Sequence, residues 1–282
     1  MAIGWRDYET AYAGRPHTVV GDVQVLSRVD SPQLGRPVDL LVYLPPSYHA
    51  ETGRTYPVVY MQDGQNLFDR YTSYAGDWQV DEIMESLAVE EGLEAIVVGI
   101  PNGGSARLDE YSPWEDREFG GGRAGRYLHF VVDVVRPLIG SSFRAAPEPA
   151  RTVVAGSSMG ALFSLWAFFE CPQVFGGCAA LSPSVQFARR ALERDVRNRP
   201  FRGGRIYLDA GTLEGQQRRF AKLLLGLPVR PYLRGVRQLR DALLGVGYRL
   251  EGNLQYLEEE GGEHNELSWS RRLPGALRFL LL

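Results

Sequence analysis

The sequence predicts an α/β fold, with a mostly parallel central sheet of about eight strands and helices on both faces. Short apolar runs typical of buried strands alternate along the chain with longer stretches of helical periodicity. A Gly-x-Ser-x-Gly pentapeptide, Gly156 to Gly160, stands where one of these runs gives way to a helix-like stretch. The chain has 282 residues, 44% of them hydrophobic, which is enough to bury a large core. We expect residues 1–282 to form a single domain.

The predicted strands are short runs rich in Val, Ile, Leu and Tyr, and most of them are bounded by Gly, Pro or polar residues. Because parallel strands end at the same edge of a sheet, the loops after the fifth, seventh and eighth strands should meet there. The runs span residues 19–28, 37–43, 57–61, 94–100, 151–155, 177–181, 205–208 and 254–257.

Ser158, at the centre of the pentapeptide, is the candidate nucleophile. An apolar run, residues 152–155, enters the pentapeptide, and a helix-like stretch, 161–167, follows it. Such a turn holds its serine at a strained tip, where the flanking glycines remove side chains that would collide. The five letters alone also fit an ordinary tight turn, so the prediction depends on the strand and helix at its flanks.

His264 is the candidate base. A serine hydroxyl needs a positioned base to remove its proton, and histidine is the usual base near neutral pH. In hydrolases with this turn the chain order is serine, acid, histidine. Of the four histidines, His17, His49, His129 and His264, only the last follows Ser158. It lies in a polar loop after the eighth predicted strand, although a solvated loop histidine would look the same.

Two carboxylates compete for the third position of a catalytic triad. Asp209 lies at the end of the seventh predicted strand, and Glu214 lies in the loop beyond it. Glu214 is favoured because a loop side chain can turn toward a neighbouring loop. Asp209 is expected to bond the turn after its strand, and the triad role remains its alternative.

The tetrahedral intermediate of ester hydrolysis needs two N–H donors aimed at its oxyanion. One is expected from the backbone of Met159, which follows the nucleophile. The other is expected from the loop after the third strand, where Gln65 is the candidate. Gly64 would let this loop approach a substrate, or would simply form an Asp-Gly turn.

Three blocks of sequence carry a resemblance to a known family. They read YPVVYMQDGQNLFD (56–69), GSSMGALFSLWAFFECPQVFGGCAALSPS (156–184) and GGEHNELSWSRRLP (261–274). Together they resemble the putative-esterase family of α/β-hydrolases, which includes enterochelin esterases, esterase D, feruloyl esterases and mycolyltransferases. The resemblance implies an α/β-hydrolase fold and an ester-bond enzyme, with Ser158 and His264 as nucleophile and base. It also implies Gln65 and Met159 as oxyanion donors.

The chain departs from this family at two positions. Ala161 stands where relatives often have glycine, and Gln62 stands where many have histidine. Both differences are expected to tune the pocket without removing the chemistry.

Aromatic residues near the expected site are candidates for substrate binding. Tyr111 and Trp114 lie in a long irregular segment, residues 101–126. Trp78 follows the loop after the third strand, which carries Gln65 and is called the oxyanion loop below. They could wall an acyl or aryl group, or cover the core beneath the loop. The arginine-rich segment 216–240 predicts amphipathic helices with a solvated face, or a lid over an anionic substrate.

Composition argues against several other classes. The net charge of −3 gives no support for a nucleic-acid partner. Cys171 and Cys178 have no second ligand pair nearby, so neither a disulfide framework nor a zinc site is indicated. No apolar run approaches the roughly 18 residues of a membrane span. The first residues lack a signal-peptide layout, so we expect a cytoplasmic protein.

These observations predict a serine carboxylesterase that hydrolyses a small-molecule ester through an acyl-enzyme, with no metal or organic cofactor. An acyltransferase on the same scaffold is one alternative. A catalytically inactive, hydrolase-like binding protein is another, which the presence of both Ser158 and His264 disfavours.

Overall fold

The computed structural model describes residues 4–74, 76–215 and 232–282. All eight predicted strands are present, with small differences at their ends. The strands are β1 (Arg6–Asp7), β2 (Asp22–Val29), β3 (Val38–Leu44), β4 (Val58–Gln62), β5 (Ile96–Ile100), β6 (Glu115–Asp116), β7 (Gly120–Gly121), β8 (Thr152–Ser157), β9 (Gly177–Leu181), β10 (Arg205–Gly211) and β11 (Leu254–Glu259).

Within the described residues, nine of these strands form one central sheet in the order β1-β2-β3-β5-β4-β8-β9-β10-β11. From β5 to β11 every neighbouring pair is parallel, whereas β1, β2 and β3 extend the sheet in antiparallel pairs. The predicted α/β class is therefore confirmed. The ninth strand is the short β1, which pairs with β2 at the edge, while β6 and β7 form a separate hairpin.

Helices cover both faces of this sheet, as a parallel sheet requires. One core lies under α4 (Ala124–His129), α6 (Met159–Glu170) and α8 (Tyr232–Gly245), and the other lies under α2 (Val80–Glu91) and α9 (Glu266–Leu281). Side chains alternate between the two: along β3, Leu40 and Val42 join the first core, and Leu41 and Tyr43 join the second. The helices are α1 (Tyr8–Ala11), α2 (Val80–Glu91), α3 (Arg107–Tyr111), α4 (Ala124–His129), α5 (Arg136–Ser142), α6 (Met159–Glu170), α7 (Ala191–Arg197), α8 (Tyr232–Gly245) and α9 (Glu266–Leu281).

The arginine-rich segment is described only from residue 232, where α8 begins, and its earlier part, 216–231, lies outside the described residues. Among the helices that the structure describes, none is long and apolar enough to cross a membrane.

Candidate active site

The pentapeptide forms a sharp turn between β8 and α6. Ser158 has φ 55° and ψ −116°, a left-handed backbone conformation that a residue with a side chain rarely adopts. A Cβ added to Gly156 would lie 2.8 Å from the carbonyl carbon of Gly160, and one added to Gly160 would lie 3.0 Å from Cβ of Gln62. Gly156 is therefore required by close backbone approach, whereas Gly160 packs tightly against the side chain of Gln62. The half-buried Ser158 stands at the carboxyl edge of the sheet, as the sequence predicts.

The structure brings Ser158, His264 and Glu214 together in one hydrogen-bonded chain. His264 lies in the loop between β11 and α9, and its Nε2 is 2.9 Å from Oγ of Ser158. Its Nδ1 is 2.9 Å from Oε2 of Glu214, which follows β10. The imidazole ring also packs edge-on against Trp269, with ring centres 5.0 Å apart. Such an arrangement can pass a proton from the serine to the histidine while the carboxylate stabilises the resulting cation.

Asp209, the alternative acid, lies behind this chain. Its Oδ1 accepts the backbone N–H of Ser182 at 2.9 Å, and its Oδ2 lies 3.0 Å from Nε of Arg272 without hydrogen-bond alignment. Burial raises the pKa of Asp209 to about 7, although Arg272 opposes the shift. Within the described part of the chain, Asp209 makes no hydrogen bond to His264. It holds the turn after the neighbouring strand β9, rather than the turn after its own strand.

Ser182 connects the two acids. Its Oγ donates to Oε1 of Glu214 and accepts hydrogen bonds from Nε1 of Trp269 at 3.0 Å and from Arg272 at 2.7 Å. The Arg272 side chain is buried among Asp209, Glu214 and Glu259. The carboxylate that faces His264 is thus fixed by buried donors on its far side.

The two predicted oxyanion donors both lie beside helix starts. Met159 is the first residue of α6, and Gln65 lies in a short 3₁₀ helix, Gly64–Asn66, directly after β4. Among the described residues, neither backbone N–H donates to a protein acceptor, so both are free to bind an oxyanion. A Cβ on Gly64 would lie 2.5 Å from the carbonyl carbon of Gly99 in β5. That glycine is therefore required by contact with the sheet.

The oxyanion loop is held by an ion pair with a distant segment. Asp63 adopts a left-handed conformation with φ 58°, and Arg107 binds its two carboxylate oxygens at 2.7 Å each. The side chain of Asn102 donates to the same carboxylate at 2.6 Å. The irregular segment 101–126 thus supports the loop that carries Gln65.

The prediction that Tyr111 and Trp78 bind substrate is wrong, because the structure buries both side chains. Tyr111 is 0% exposed: its ring packs against Tyr127 and Phe163, and its hydroxyl accepts the N–H of Asp63 at 2.9 Å. Trp78 is 2% exposed and stacks on Trp269, with ring centres 5.5 Å apart. Both aromatic rings contribute to the core beneath the site. Trp114 is half-buried at the edge of the first core, and its role stays a prediction.

An open cavity of about 410 Å³ adjoins the oxyanion loop. Gln65 and Thr72 form one wall, and the hydroxyl of Thr72 donates to the carbonyl of Gln65 at 2.8 Å. The other described residues that line it include Tyr12, Arg28, Arg36 and Asp39. None of the three predicted aromatic residues is among them. In the described ranges, no group of three or more His, Cys, Asp or Glu side chains could hold a metal ion.

Sequence reasoning missed the serines of the loop after β9. Ser182 orients Glu214, and Oγ of Ser184 lies 3.1 Å from Oγ of Ser158. The available signal was their position, because Ser182-Pro183-Ser184 directly follows a buried strand next to the strand of the nucleophile.

Solved structures share this fold and define its class, the α/β-hydrolase fold of esterases. The BES protein from Bacillus cereus is 19% identical, with a TM-score of 0.70 over 96% of this chain and 98% of its own. The enterobactin esterase FES from Shigella flexneri is also 19% identical, with a TM-score of 0.67 over 93% of this chain and 59% of its own. The siderophore hydrolase EstA from Aspergillus nidulans is 19% identical as well, with a TM-score of 0.69 over 95% of this chain and 98% of its own.

Residues 31–280 match the family model described as putative esterase, and the chain belongs to this family of hydrolases. The uncharacterized protein YbbA of Bacillus subtilis is 28% identical over 247 residues, which cover 85% of this chain and 90% of YbbA. The siderophore enterobactin esterase of Emericella nidulans is 33% identical over 76 residues, 27% of this chain and 25% of that protein.

Proposed function

We propose that this esterase-family hydrolase is a serine carboxylesterase that works through an acyl-enzyme. The observation that carries the proposal is the hydrogen-bonded chain from Glu214 through His264 to Ser158, with both distances at 2.9 Å. These three groups are the acid, base and nucleophile that acyl transfer requires, in the chain order of the α/β-hydrolase fold.

In the first half of the reaction, Nε2 of His264 takes the proton of Ser158, and Oγ attacks the ester carbonyl carbon. The carbonyl π electrons move to the oxygen, where the N–H groups of Gln65 and Met159 stabilise the negative charge. The intermediate then expels the alcohol, which takes the proton from His264. In the second half, water attacks the acyl-enzyme by the same route and releases the acid.

Ser158→Ala is the test of this mechanism. We expect ester hydrolysis to fall by about 10⁴-fold or more, because the nucleophile is removed, while the melting temperature hardly changes. A fluorophosphonate probe should label the wild-type protein at Ser158 and leave the variant unlabelled.

Histidine variants provide the matched control. His264→Ala should abolish turnover, whereas His129→Ala should not, because His129 is exposed and, among the described residues, pairs only with Asp133 at 3.0 Å. Turnover retained by purified Ser158→Ala protein would contradict the proposal, and an unlabelled wild type would favour an inactive binding protein.

The substrate is best sought among small-molecule esters. A screen should begin with siderophore lactones, because relatives named above act on siderophores or enterobactin, and should include feruloyl esters, acetylated sugars and p-nitrophenyl esters. Adding an alcohol acceptor to the same assay distinguishes an acyltransferase, which would form a new ester in place of the free acid. A cytoplasmic location stays a prediction that cell fractionation and immunoblotting would test.

A further inference from the structure

We propose that the hydroxyl of Ser184 is a further catalytic group, which stabilises Oγ of Ser158 while that oxygen leaves the acyl group in deacylation. This inference rests on the serine mechanism proposed above. The two Oγ atoms are 3.1 Å apart. Ser184 is 6% exposed, and its backbone N–H donates to the carbonyl of Ser158 at 3.0 Å. The hydroxyl is therefore held against a reacting atom by its own main chain.

The surrounding contacts fix the direction of this hydrogen bond. The carboxylate of Glu214 can only accept, so Nδ1 of His264 carries the ring hydrogen and Nε2 is an acceptor. Ser158 then donates its hydrogen to Nε2, and the lone pairs of its Oγ are left to accept from Ser184. The nearby phenol of Tyr232 donates its hydrogen to the carbonyl of Ser182 and does not compete as a donor.

The strength of this bond changes along the reaction. In the free enzyme, Ser184 donates to a hydroxyl oxygen, which is a good acceptor. In the acyl-enzyme it donates to the alkoxy oxygen of an ester, which is a weaker one. In both transition states Oγ gains negative charge, and hydrogen bonds to charged oxygen are stronger than neutral ones. The hydrogen bond from Ser184 therefore strengthens more between ground state and transition state in deacylation than in acylation.

The deacylation step balances without any further group. Water has attacked the acyl carbon and its proton is on His264. The bond between the acyl carbon and Oγ of Ser158 breaks with its electron pair moving to Oγ, and Nε2 returns the proton to that oxygen. Ser184 keeps its own hydrogen throughout and contributes only a hydrogen bond.

The experiment compares the two half-reactions of wild type and Ser184→Ala with a p-nitrophenyl ester. The burst of p-nitrophenol measures acylation, and the steady state measures deacylation, because the activated leaving group makes the first step fast. We expect the deacylation rate constant to fall about five- to tenfold, the size of one lost hydrogen bond, and the acylation rate constant to fall less than about twofold. The burst should become more pronounced.

Two further variants separate this role from a structural one. Ser164→Ala removes a buried serine hydroxyl that has no partner among the described residues, and both rate constants should keep their wild-type values. Ser184→Thr retains a hydroxyl and should recover most of the deacylation rate. The melting temperature of Ser184→Ala should stay within a few degrees of wild type.

An equal fall in both rate constants, or no fall in either, would overturn the role of Ser184 while leaving the acyl-enzyme mechanism intact. A wild-type protein that neither turns over esters nor reacts with a fluorophosphonate would overturn the proposed function and this inference with it.

Discussion

Among the proposed catalytic residues, Glu214 is more completely enclosed than His264, to which it is hydrogen-bonded. Its side chain is 0% exposed, compared with 31% for His264. One carboxylate oxygen faces His264, and the other accepts from the backbone of Gly211 at 2.7 Å and from Ser182. A carboxylate bound on both oxygens keeps one orientation, which is what a group that selects a histidine tautomer requires.

Changing Glu214 to Gln tests this role. The amide keeps the shape of the side chain but loses the charge that stabilises the imidazolium, so we expect kcat to fall by roughly 10³-fold or more with little change in KM. Steady-state kinetics measures both. Glu258→Gln is the matched control, because Glu258 pairs with Arg237 at the surface and should leave kcat unchanged. A fully active Glu214→Gln would reduce the site to a dyad of Ser158 and His264.

The raised pKa of Asp209 predicts how the free energy of unfolding depends on pH. Its folded-state pKa of about 7 lies above the value near 4 of an aspartate in the unfolded chain. Between about pH 4 and pH 7 the folded protein therefore holds the extra proton, and this group lowers stability as the pH rises through that window. Above pH 7 its effect is constant.

Asp209→Asn removes that titration. The wild type should lose stability relative to the variant between pH 5 and pH 7, and the difference should change little from pH 7 to pH 8. Denaturant unfolding at these pH values measures it. Activity should largely survive because Glu214 still faces His264. A stable but inactive Asp209→Asn beside an active Glu214→Gln would assign the triad acid to Asp209 instead.

At the scale of elements, the oxyanion loop depends on α3, which is more than forty residues further along the chain. Arg107 of α3 donates hydrogen bonds to both carboxylate oxygens of Asp63. Its guanidinium also lies over the ring of Tyr111, at 5.1 Å from the ring centre. Such a two-point contact fixes orientation as well as position. We expect this contact to position the backbone N–H of Gln65, which is two residues from Asp63.

Arg107→Gln should therefore lower kcat roughly tenfold with a small effect on KM, because a misplaced oxyanion donor weakens transition-state binding most. Stability should also fall, since the carboxylate of Asp63 is left buried without its cation. Arg123→Gln, in the same segment, removes a guanidinium that is 65% exposed and should change neither quantity. If kcat were preserved while stability fell, the ion pair would only brace the loop.

The same segment explains why the sequence prediction failed for Tyr111. Aromatic residues in an irregular stretch fit a pocket wall and a core equally well. The choice depends on partners such as Tyr127 and Phe163, which the fold brings to Tyr111 from α4 and α6. Local pattern carries no information about these contacts.

For the whole molecule, the sequence could predict those features that depend on short stretches of residues. Apolar runs predicted the strands, and the order of serine, acid and histidine after the fifth, seventh and eighth of them predicted Ser158, Glu214 and His264. The contacts of Ser182, Ser184 and Arg272 could not be predicted in this way. Ser182 and Arg272 are 90 residues apart in sequence and meet because β9, β10 and α9 pack together.

The turn at Ser182 also limits which sequences this fold accepts. Its hydroxyl has one hydrogen and two lone pairs, and all three have partners. Its φ of 46° disfavours a β-branched side chain, so threonine would supply the hydroxyl but resist the backbone. Glycine or asparagine would accept the backbone but could not reproduce the three bonds. Replacing Ser182 by any of these three residues should therefore loosen the hydrogen bonds that hold the far side of Glu214, even though Ser182 itself does not touch His264.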